Sequence, residues 1–188
     1  MPNFGTEMRG PLDRDVEGSA RQRMIDEHLV ARGICDRRVL EAFRRVRRED
    51  FIDPGAAAFA YDDRPLAIGE GQTISQPYIV ALMASVLDLK PTDKVLEVGA
   101  GCGYASAIFA CLCRSVVGIE RLHGLALRAR ANLARAHVDN VEIVVGDGTT
   151  GSGGRGPFDA IVVSAGGPSI PSSLVSELSP GGRMVIPV

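Results

Sequence analysis

The sequence predicts a doubly wound α/β fold with a mostly parallel sheet and additional helices on its N-terminal side. From residue 94 onward, short apolar segments that predict strands alternate with longer amphipathic segments that predict helices. This alternation favours parallel strands joined by right-handed crossovers. Two further observations agree with it: 45% of the residues are hydrophobic, and a glycine-rich turn follows the first of these strands.

Length and composition exclude several classes of protein. The 188 residues suit one ordinary domain, and 21 basic against 23 acidic residues give a net charge of −2, which does not predict nucleic-acid binding. The longest apolar run, near Tyr78–Leu87, is shorter than the ~18–20 residues of a membrane span. Four cysteines are too few for a disulfide scaffold and fit a reducing cytosol. We therefore predict a cytoplasmic, monomeric protein with no membrane partner.

The N-terminal half divides into a predicted flexible leader, residues 1–19, and a helical segment, residues 20–90. Ala20–Arg32 carries apolar residues at helical spacing, and Asp36 has the position of an N-cap for a second amphipathic helix. Phe51–Gly71 is rich in glycine and proline, and it is predicted to be irregular before a third helix begins.

One face of the second predicted helix, with the residues just after it, is rich in arginine. Two interpretations stay open: an RNA-binding surface, or a solvated helix face whose charges neighbouring acids balance. The arginines are Arg37, Arg38, Arg44, Arg45, Arg47 and Arg48.

Residues 91–188 are predicted to form the α/β core. The helices between its strands are short enough to pack on the sheet as single crossovers. The predicted strands are Val95–Val98, Val116–Glu120, Val141–Val145, Phe158–Val163 and Met184–Val188, and the predicted helices are Tyr104–Cys113, Leu122–Ala136 and Pro171–Leu178.

The turn after the first core strand carries glycine at alternate positions: Gly99, Gly101 and Gly103. A strand, a glycine-rich turn and a helix are the usual beginning of a nucleotide site. Tyr104 stands where the dinucleotide fingerprint has its last glycine, and no lysine follows as in a P-loop. The turn therefore disfavours a pyrophosphate and suits a ligand whose uncharged or zwitterionic part lies against the backbone.

Two carboxylates end the next two strands. Glu120 closes the second strand, where an acid accepts hydrogen bonds from both hydroxyls of a ribose. Asp147 follows the third strand, where a carboxylate can accept from an adenine amino group. Either residue alone is equally well explained as a solvated acid at a strand end. Together with the glycine turn, they predict an adenosine site without a phosphate, which points to S-adenosylmethionine.

Several stretches resemble the protein-L-isoaspartate O-methyltransferases, especially the bacterial ones, from about Arg21 to the end of the chain. The glycine turn and the later motifs are shared by many methyltransferases, whereas the stretch that ends at Tyr78 is similar to this family and few others. The stretches are Arg47–Phe51, Ala60–Tyr61, Ile68–Tyr78, Val95–Tyr104, Pro157–Val163 and Leu178–Val188.

The resemblance implies a Rossmann-like class I fold and S-adenosylmethionine-dependent methylation of the free α-carboxylate of isoaspartyl residues in damaged proteins. The resulting ester closes to a succinimide, which reopens partly to normal aspartate. It also implies a chain cut off after its fifth strand, before a closing strand pair. The alternatives are a methyltransferase for a small molecule or RNA, and a non-catalytic binding module with the same fold.

The resemblance also assigns the site residues. Ser75, expected near a helix N-terminus, is predicted to hold the substrate carboxylate as the catalytic residue, with Gln72, Thr73 and Ile74 lining the substrate site. No general base is expected, because a carboxylate with a pKa of ~3.5 is already ionised at neutral pH, and no metal is expected. The predicted cofactor-binding residues are Glu97, Gly99, Gly101, Gly103, Glu120, Asp147 and Gly148.

Overall fold

A parallel sheet of five strands and a small antiparallel hairpin form the framework, and the computed structural model describes residues 11–166 and 169–187. The hairpin pairs the first two strands, and the other five strands form the sheet. In chain order the strands are β1 (Leu66–Gly69), β2 (Gln72–Ile74), β3 (Lys94–Val98), β4 (Ser115–Glu120), β5 (Val141–Val145), β6 (Phe158–Val163) and β7 (Leu178–Val185).

Helices precede the sheet and connect its strands. Short 3-10 turns join several of these elements, among them Arg48–Phe51 and Pro54–Phe59. In the described part of the chain, no helix has the length and apolar character needed to cross a membrane. The α-helices are α1 (Pro11–Met24), α2 (Arg37–Arg45), α3 (Pro77–Leu87), α4 (Tyr104–Ala110), α5 (His123–Arg135) and α6 (Ser172–Ser176).

The order of strands across the sheet is β5-β4-β3-β6-β7, and every neighbouring pair is parallel. The chain builds outward from β3 in one direction and then returns to β6 on its other side. The carboxyl ends of β3 and β6 therefore flank the switch point where open α/β sheets bind ligands. This architecture confirms the predicted doubly wound α/β fold.

Both faces of the central strands β3, β4 and β6 are covered, which explains why these strands are almost continuously apolar. Successive residues alternate between two cores: Val95 packs with the larger cluster beneath α2 to α5, and Leu96 packs with the smaller cluster that contains Leu174 of α6. Alternation along β3 thus places Glu97 on the same face as Val95.

The predicted leader, residues 1–19, overlaps α1, because that helix begins at Pro11. Residues 1–10 lie outside the described residues. Proline is favoured at the first helical position. The glycines in this segment led the sequence prediction to a loop, but Gly18 lies within the helix.

The segment predicted to be irregular, Phe51–Gly71, contains β1. Leu66 pairs with Ile74 and Ala67 pairs with Thr73, so the segment folds back on the residues that follow it. The hairpin is held on the core by a tertiary contact: Arg128 Nη1 of α5 donates to the carbonyl of Ile68 at 2.8 Å. Neither this contact nor such short strands could be read from local periodicity.

The last strand begins earlier than predicted. The sequence places it at Met184–Val188, whereas β7 begins at Leu178 and ends at Val185, and Val188 lies outside the described residues. Its pairing with β6 includes a register shift, which accommodates the proline and glycines that hid the start of the strand.

Several arginines of this exposed face of α2, and of the residues after it, have partners within the protein. Arg38 pairs with Asp36 at 3.3 Å and Arg44 pairs with Glu41 at 3.6 Å, while Arg48, in the turn after the helix, is fully buried. These contacts favour the interpretation as a helix face over an RNA-binding surface.

A buried carboxylate lies in the middle of β3. Glu97 is fully buried, and its oxygens accept hydrogen bonds from Ser106 Oγ of α4 and, at 2.9 Å, from Ser164 Oγ after β6. The pKa of Glu97 is raised to about 7, chiefly because burial removes the carboxylate from water; the two serine hydroxyls oppose this shift, and the nearby charge of Glu120 adds to it. The group thus titrates near neutrality in the folded protein.

Glu97→Gln should change how stability depends on pH. Folded Glu97 keeps its proton up to about pH 7, whereas the unfolded side chain loses it near pH 4.5, so the wild type is destabilised as pH rises between these values. The difference in the free energy of unfolding, wild type minus variant, should fall by about 3 kcal/mol as pH rises through this window and stay constant above it. Urea titrations at several pH values measure this difference. Glu142→Gln, at an exposed ion pair, is the control, and a pH-independent difference for Glu97→Gln would contradict the prediction.

The last glycine of the turn serves helix packing. Gly103 is the N-cap of α4 with φ of 89°, and a Cβ on it would lie 3.3 Å from Leu133 Cγ and 3.4 Å from Ala129 Cβ of α5. It belongs to the predicted cofactor-binding set. In the structure it lets α5 approach the beginning of α4 closely, and its left-handed conformation is one that glycine adopts without strain.

Gly103→Ala should lower the free energy of unfolding by about 1–3 kcal/mol, because it adds a left-handed alanine and a tight contact. Gly18→Ala is the matched control: that position lies in α1, and among the described residues no atom outside its own stretch of helix lies within 4 Å of an added Cβ. The control should be neutral or stabilising by about 0.5–1 kcal/mol. Chemical denaturation compares both with the wild type, and equal effects would refute the packing role of Gly103.

Candidate functional site

A cavity of about 310 Å³ opens at the carboxyl ends of the central strands. Its walls come from the ends of β3, β4, β5 and β6, and the hairpin of β1 and β2 covers one side. Seven of the predicted site residues line it. They are Gln72, Thr73, Gly99, Gly101, Glu120, Asp147 and Gly148.

The glycine turn forms the floor of this cavity between β3 and β6. The backbone N–H of Gly99 donates to the carbonyl of Ile119 at 2.8 Å, so the turn is anchored to β4. A Cβ on Gly99 would lie 3.1 Å from Ala165 Cβ, and its φ of 89° is left-handed. Both facts leave room only for glycine, and the bare backbone therefore faces the cavity.

Glu120 fixes the turn from the second strand. One oxygen of its carboxylate accepts from the N–H of Gly101 at 2.8 Å, and the other accepts from the N–H of Leu122 at 2.8 Å. The carboxylate is 7% exposed and lines the cavity. Each oxygen still has a lone pair that can accept a further hydrogen bond.

Asp147 and Gly148 form the wall after β5. Asp147 Oδ1 accepts from Thr149 Oγ1 at 2.7 Å and from the Thr149 N–H at 2.9 Å, and these bonds lower the pKa of the carboxyl. A Cβ on Gly148 would lie 2.4 Å from Val98 Cγ1, so β3 and the turn after β5 approach each other closely only because this residue is glycine.

A smaller cavity of about 40 Å³ adjoins the first, and it brings the predicted substrate residues to the glycine turn. Ile74, Ser75 and Glu97 line it, and Thr73 and Gly99 line both cavities. The structure thus brings together two stretches that are more than twenty residues apart in sequence. Gly103 lines neither cavity, and Glu97 contacts only the smaller one.

Ser75 lies one residue before the N-cap of a helix, outside the helix itself. The helix α3 begins at Pro77 with Gln76 as its N-cap, because the residue before a proline is held in extended conformation. The backbone N–H of Tyr78, in the first turn of α3, has no partner within the helix and donates to Asp63 Oδ1 at 3.1 Å. The helix end is therefore neutralised by Asp63.

Ser75 offers a hydroxyl instead. In the described part of the chain its side chain has no hydrogen-bond partner, while its carbonyl accepts from Arg48 Nη2 at 3.0 Å. A half-buried hydroxyl on a fixed backbone, facing a cavity, can donate to an anionic ligand.

Some residues of the site were missed by the sequence analysis. Ser164 lines both cavities and directly follows the end of β6. Asp147 lies at a comparable place, with one residue between it and the end of β5. Since open α/β sheets bind ligands at the carboxyl ends of their strands, Ser164 could have been predicted in the same way as Asp147. Ile68 and Leu125 also line the larger cavity. No local signal predicts these two, because they reach it through the packing of the hairpin and of α5.

The described residues provide no metal-binding group, and the cysteine at the site carries a protonated thiol. In the described residues, no group of three His, Cys, Asp or Glu side chains could hold a metal ion. Cys102 lies in the glycine turn, and burial raises the pKa of its thiol to about 11, so it stays protonated at neutral pH.

Comparison with known proteins gives a consistent result. Residues 19–188 match the family described as Protein-L-isoaspartate(D-aspartate) O-methyltransferase (PCMT). The protein-L-isoaspartate O-methyltransferase of Trichlorobacter lovleyi is 54% identical over 169 residues, which cover 90% of this chain and 78% of that protein. The enzyme of the same name from Methanoculleus marisnigri is 52% identical over 177 residues, covering 94% of this chain and 80% of that protein.

Solved structures agree. One protein-L-isoaspartate O-methyltransferase matches with a TM-score of 0.81 and 30% identity, covering 89% of this chain, which spans 55% of that longer chain. A Plasmodium falciparum structure, titled as a family member in complex with S-adenosyl-L-homocysteine, matches with a TM-score of 0.77 and 29% identity, covering 91% of this chain and 83% of that one. These matches confirm the predicted class I methyltransferase fold, and the chain belongs to the protein-L-isoaspartate O-methyltransferase family.

Proposed function

We propose that this chain transfers a methyl group from S-adenosylmethionine to the free α-carboxylate of isoaspartyl residues in damaged proteins. The observation that carries the proposal is the juxtaposition of the Ser75 hydroxyl with the glycine turn across two adjoining cavities. The activity is the one for which the family is named.

The cavity residues fit S-adenosylmethionine. The bare backbone at Gly99, where a Cβ would strike Ala165, leaves space that a side chain would fill. Glu120 supplies an anchored carboxylate at the end of β4, the position that accepts from ribose hydroxyls. When bound, the cofactor supplies an electrophilic methyl group on a sulfonium ion. A related structure holds the demethylated product, S-adenosyl-L-homocysteine.

We assign the cofactor residues by position. Gly99 and Gly101 present their backbone, Glu120 accepts from the ribose, and Asp147 accepts from the adenine amino group beside Gly148. Asp147 Oδ1 is already bonded to Thr149, which leaves Oδ2 for this contact.

Two further residues of the predicted cofactor set act from behind the site. Glu97 holds Ser164 at the edge of both cavities through its carboxylate. Gly103 lets α5 pack closely behind the turn, as shown by the contacts of an added Cβ with Leu133 and Ala129.

On the substrate side, Ser75 donates its hydroxyl to the isoaspartyl carboxylate, and Gln72, Thr73 and Ile74 line the passage between substrate and cofactor. The carboxylate is ionised at neutral pH and needs no general base. The rate must then come from alignment of the attacking oxygen with the methyl group in a site that excludes water. The fixed backbone of Ser75 serves this alignment.

The partners of the reaction follow from the substrate: proteins or peptides that carry isoaspartyl residues. The monomeric state and the cytoplasmic location stay predictions.

Incubation with methyl-labelled S-adenosylmethionine and a peptide containing one isoaspartyl residue tests the proposal. We expect a base-labile methyl ester on that peptide and none on the same peptide with normal aspartate. Transfer to neither peptide, or equal transfer to both, would contradict the proposed activity.

Ser75→Ala should lower kcat/KM for the isoaspartyl peptide by about 10–100-fold, the cost of one hydrogen bond to a charged group. The affinity for S-adenosylhomocysteine, measured by calorimetry, should stay within about twofold because Ser75 does not line the larger cavity. Ser176→Ala, at an exposed serine of α6, is the matched control and should keep full activity. Unchanged kcat/KM for Ser75→Ala would remove Ser75 from the mechanism.

A further inference from the structure

A buried arginine holds the backbone beside the substrate site. Arg48 has no exposed surface, and its guanidinium donates to four carbonyls: those of Ala60 at 2.6 Å, Asp62 at 3.3 Å, Arg64 at 3.1 Å and Ser75 at 3.0 Å. Three of these belong to one loop, residues 60–64, and the fourth belongs to the serine proposed to bind substrate. The fork geometry of the guanidinium allows one side chain to reach both segments.

Stability alone gives a poor account of this arrangement. In the described part of the chain, the hydrogen-bond partners of the Arg48 guanidinium are backbone carbonyls, and its Nε has no partner although it is buried. Burial lowers the pKa of the guanidinium, because the charge is removed from water. Buried charges cost free energy that apolar residues of similar size do not. The contacts instead determine where particular backbone atoms lie.

Arg48 also lies near the helix that follows the glycine turn. Its guanidinium carbon lies 5.8 Å from the ring centre of Tyr104, the first residue of α4, which follows the glycine turn directly. The ring is fixed in turn by edge contacts with Phe43 and Phe51. One side chain therefore spans from the carbonyl of Ser75 to the helix that begins at the glycine turn.

We infer that Arg48 is a positioning residue that sets the distance between Ser75 and the glycine turn, and with it the alignment of substrate carboxylate and methyl group. The inference rests on the proposed function. Arg48 lines neither cavity and acts through the backbone of Ser75. Since the carboxylate nucleophile is already ionised and no proton has to be removed from it, an error of about 1 Å in alignment acts on the rate directly and can cost about 100-fold.

The test compares Arg48→Lys with the wild type. Lysine keeps the charge and most of the volume, but its single ammonium group cannot reach the loop carbonyls and the Ser75 carbonyl together. At saturating substrates we expect kcat to fall about 100-fold, while the Kd of S-adenosylhomocysteine and the KM of the isoaspartyl peptide change less than about threefold.

Arg130→Lys is the matched control. Arg130 also donates two hydrogen bonds to a backbone carbonyl, that of Ile143, but it lies away from both cavities. This control should keep kcat within about twofold of the wild type. The comparison then shows whether the loss of any arginine–carbonyl contact lowers kcat, or only the loss of the contacts made by Arg48.

Three results would overturn the inference: an Arg48→Lys variant with wild-type kcat, one that loses affinity for S-adenosylhomocysteine in proportion to kcat, or one that does not fold. The second would make Arg48 a determinant of cofactor affinity, and the third would make it a residue of general stability. A wild-type chain that methylates no isoaspartyl peptide would contradict the proposed function instead, and the two failures are thus distinguished.

Discussion

The site depends on the two hydrogen bonds that the Glu120 carboxylate accepts from the backbone. Its two oxygens accept from the N–H groups of Gly101 and Leu122, so a single side chain joins the glycine turn after β3 to the segment that begins α5. A turn of alternating glycines has little conformational preference of its own. Its shape, and hence the floor of the cavity, comes from this carboxylate and from the bond between Gly99 and Ile119 in the neighbouring strand.

Polar groups that are buried or half-buried around the cavities position the chain. Glu97 on the sheet holds Ser164, Asp63 neutralises the start of α3, and Arg48 holds the carbonyl of Ser75. Glu97 and Arg48 each hold a serine that lines a cavity, and Asp63 holds the first turn of the helix that follows Ser75. Because the substrate brings its own ionised carboxylate, this fold needs no strong base, and its polar residues serve geometry.

Much of the core and of the cofactor side could be predicted from the sequence, because strand ends are local features. The turn at Gly99 and the acid at Glu120 follow apolar strands directly, and parallel strands bring their carboxyl ends to one edge. The substrate side could not be derived in this way. The hairpin that places Thr73 over the cavity has short strands, and it is held by Arg128, a residue 60 positions from its partner.

The sequence by itself determined the alternation of strands and helices, the glycine turn and the acids that follow the strands, since each depends on neighbouring residues. The tertiary structure decided which residues meet. In the folded chain Asp63, from a loop, binds the first turn of α3, and Ser75 lies one residue before the N-cap of that helix. Gly103 packs against α5 and does not line the cavity. Such contacts join residues far apart in the chain, and no local pattern records them.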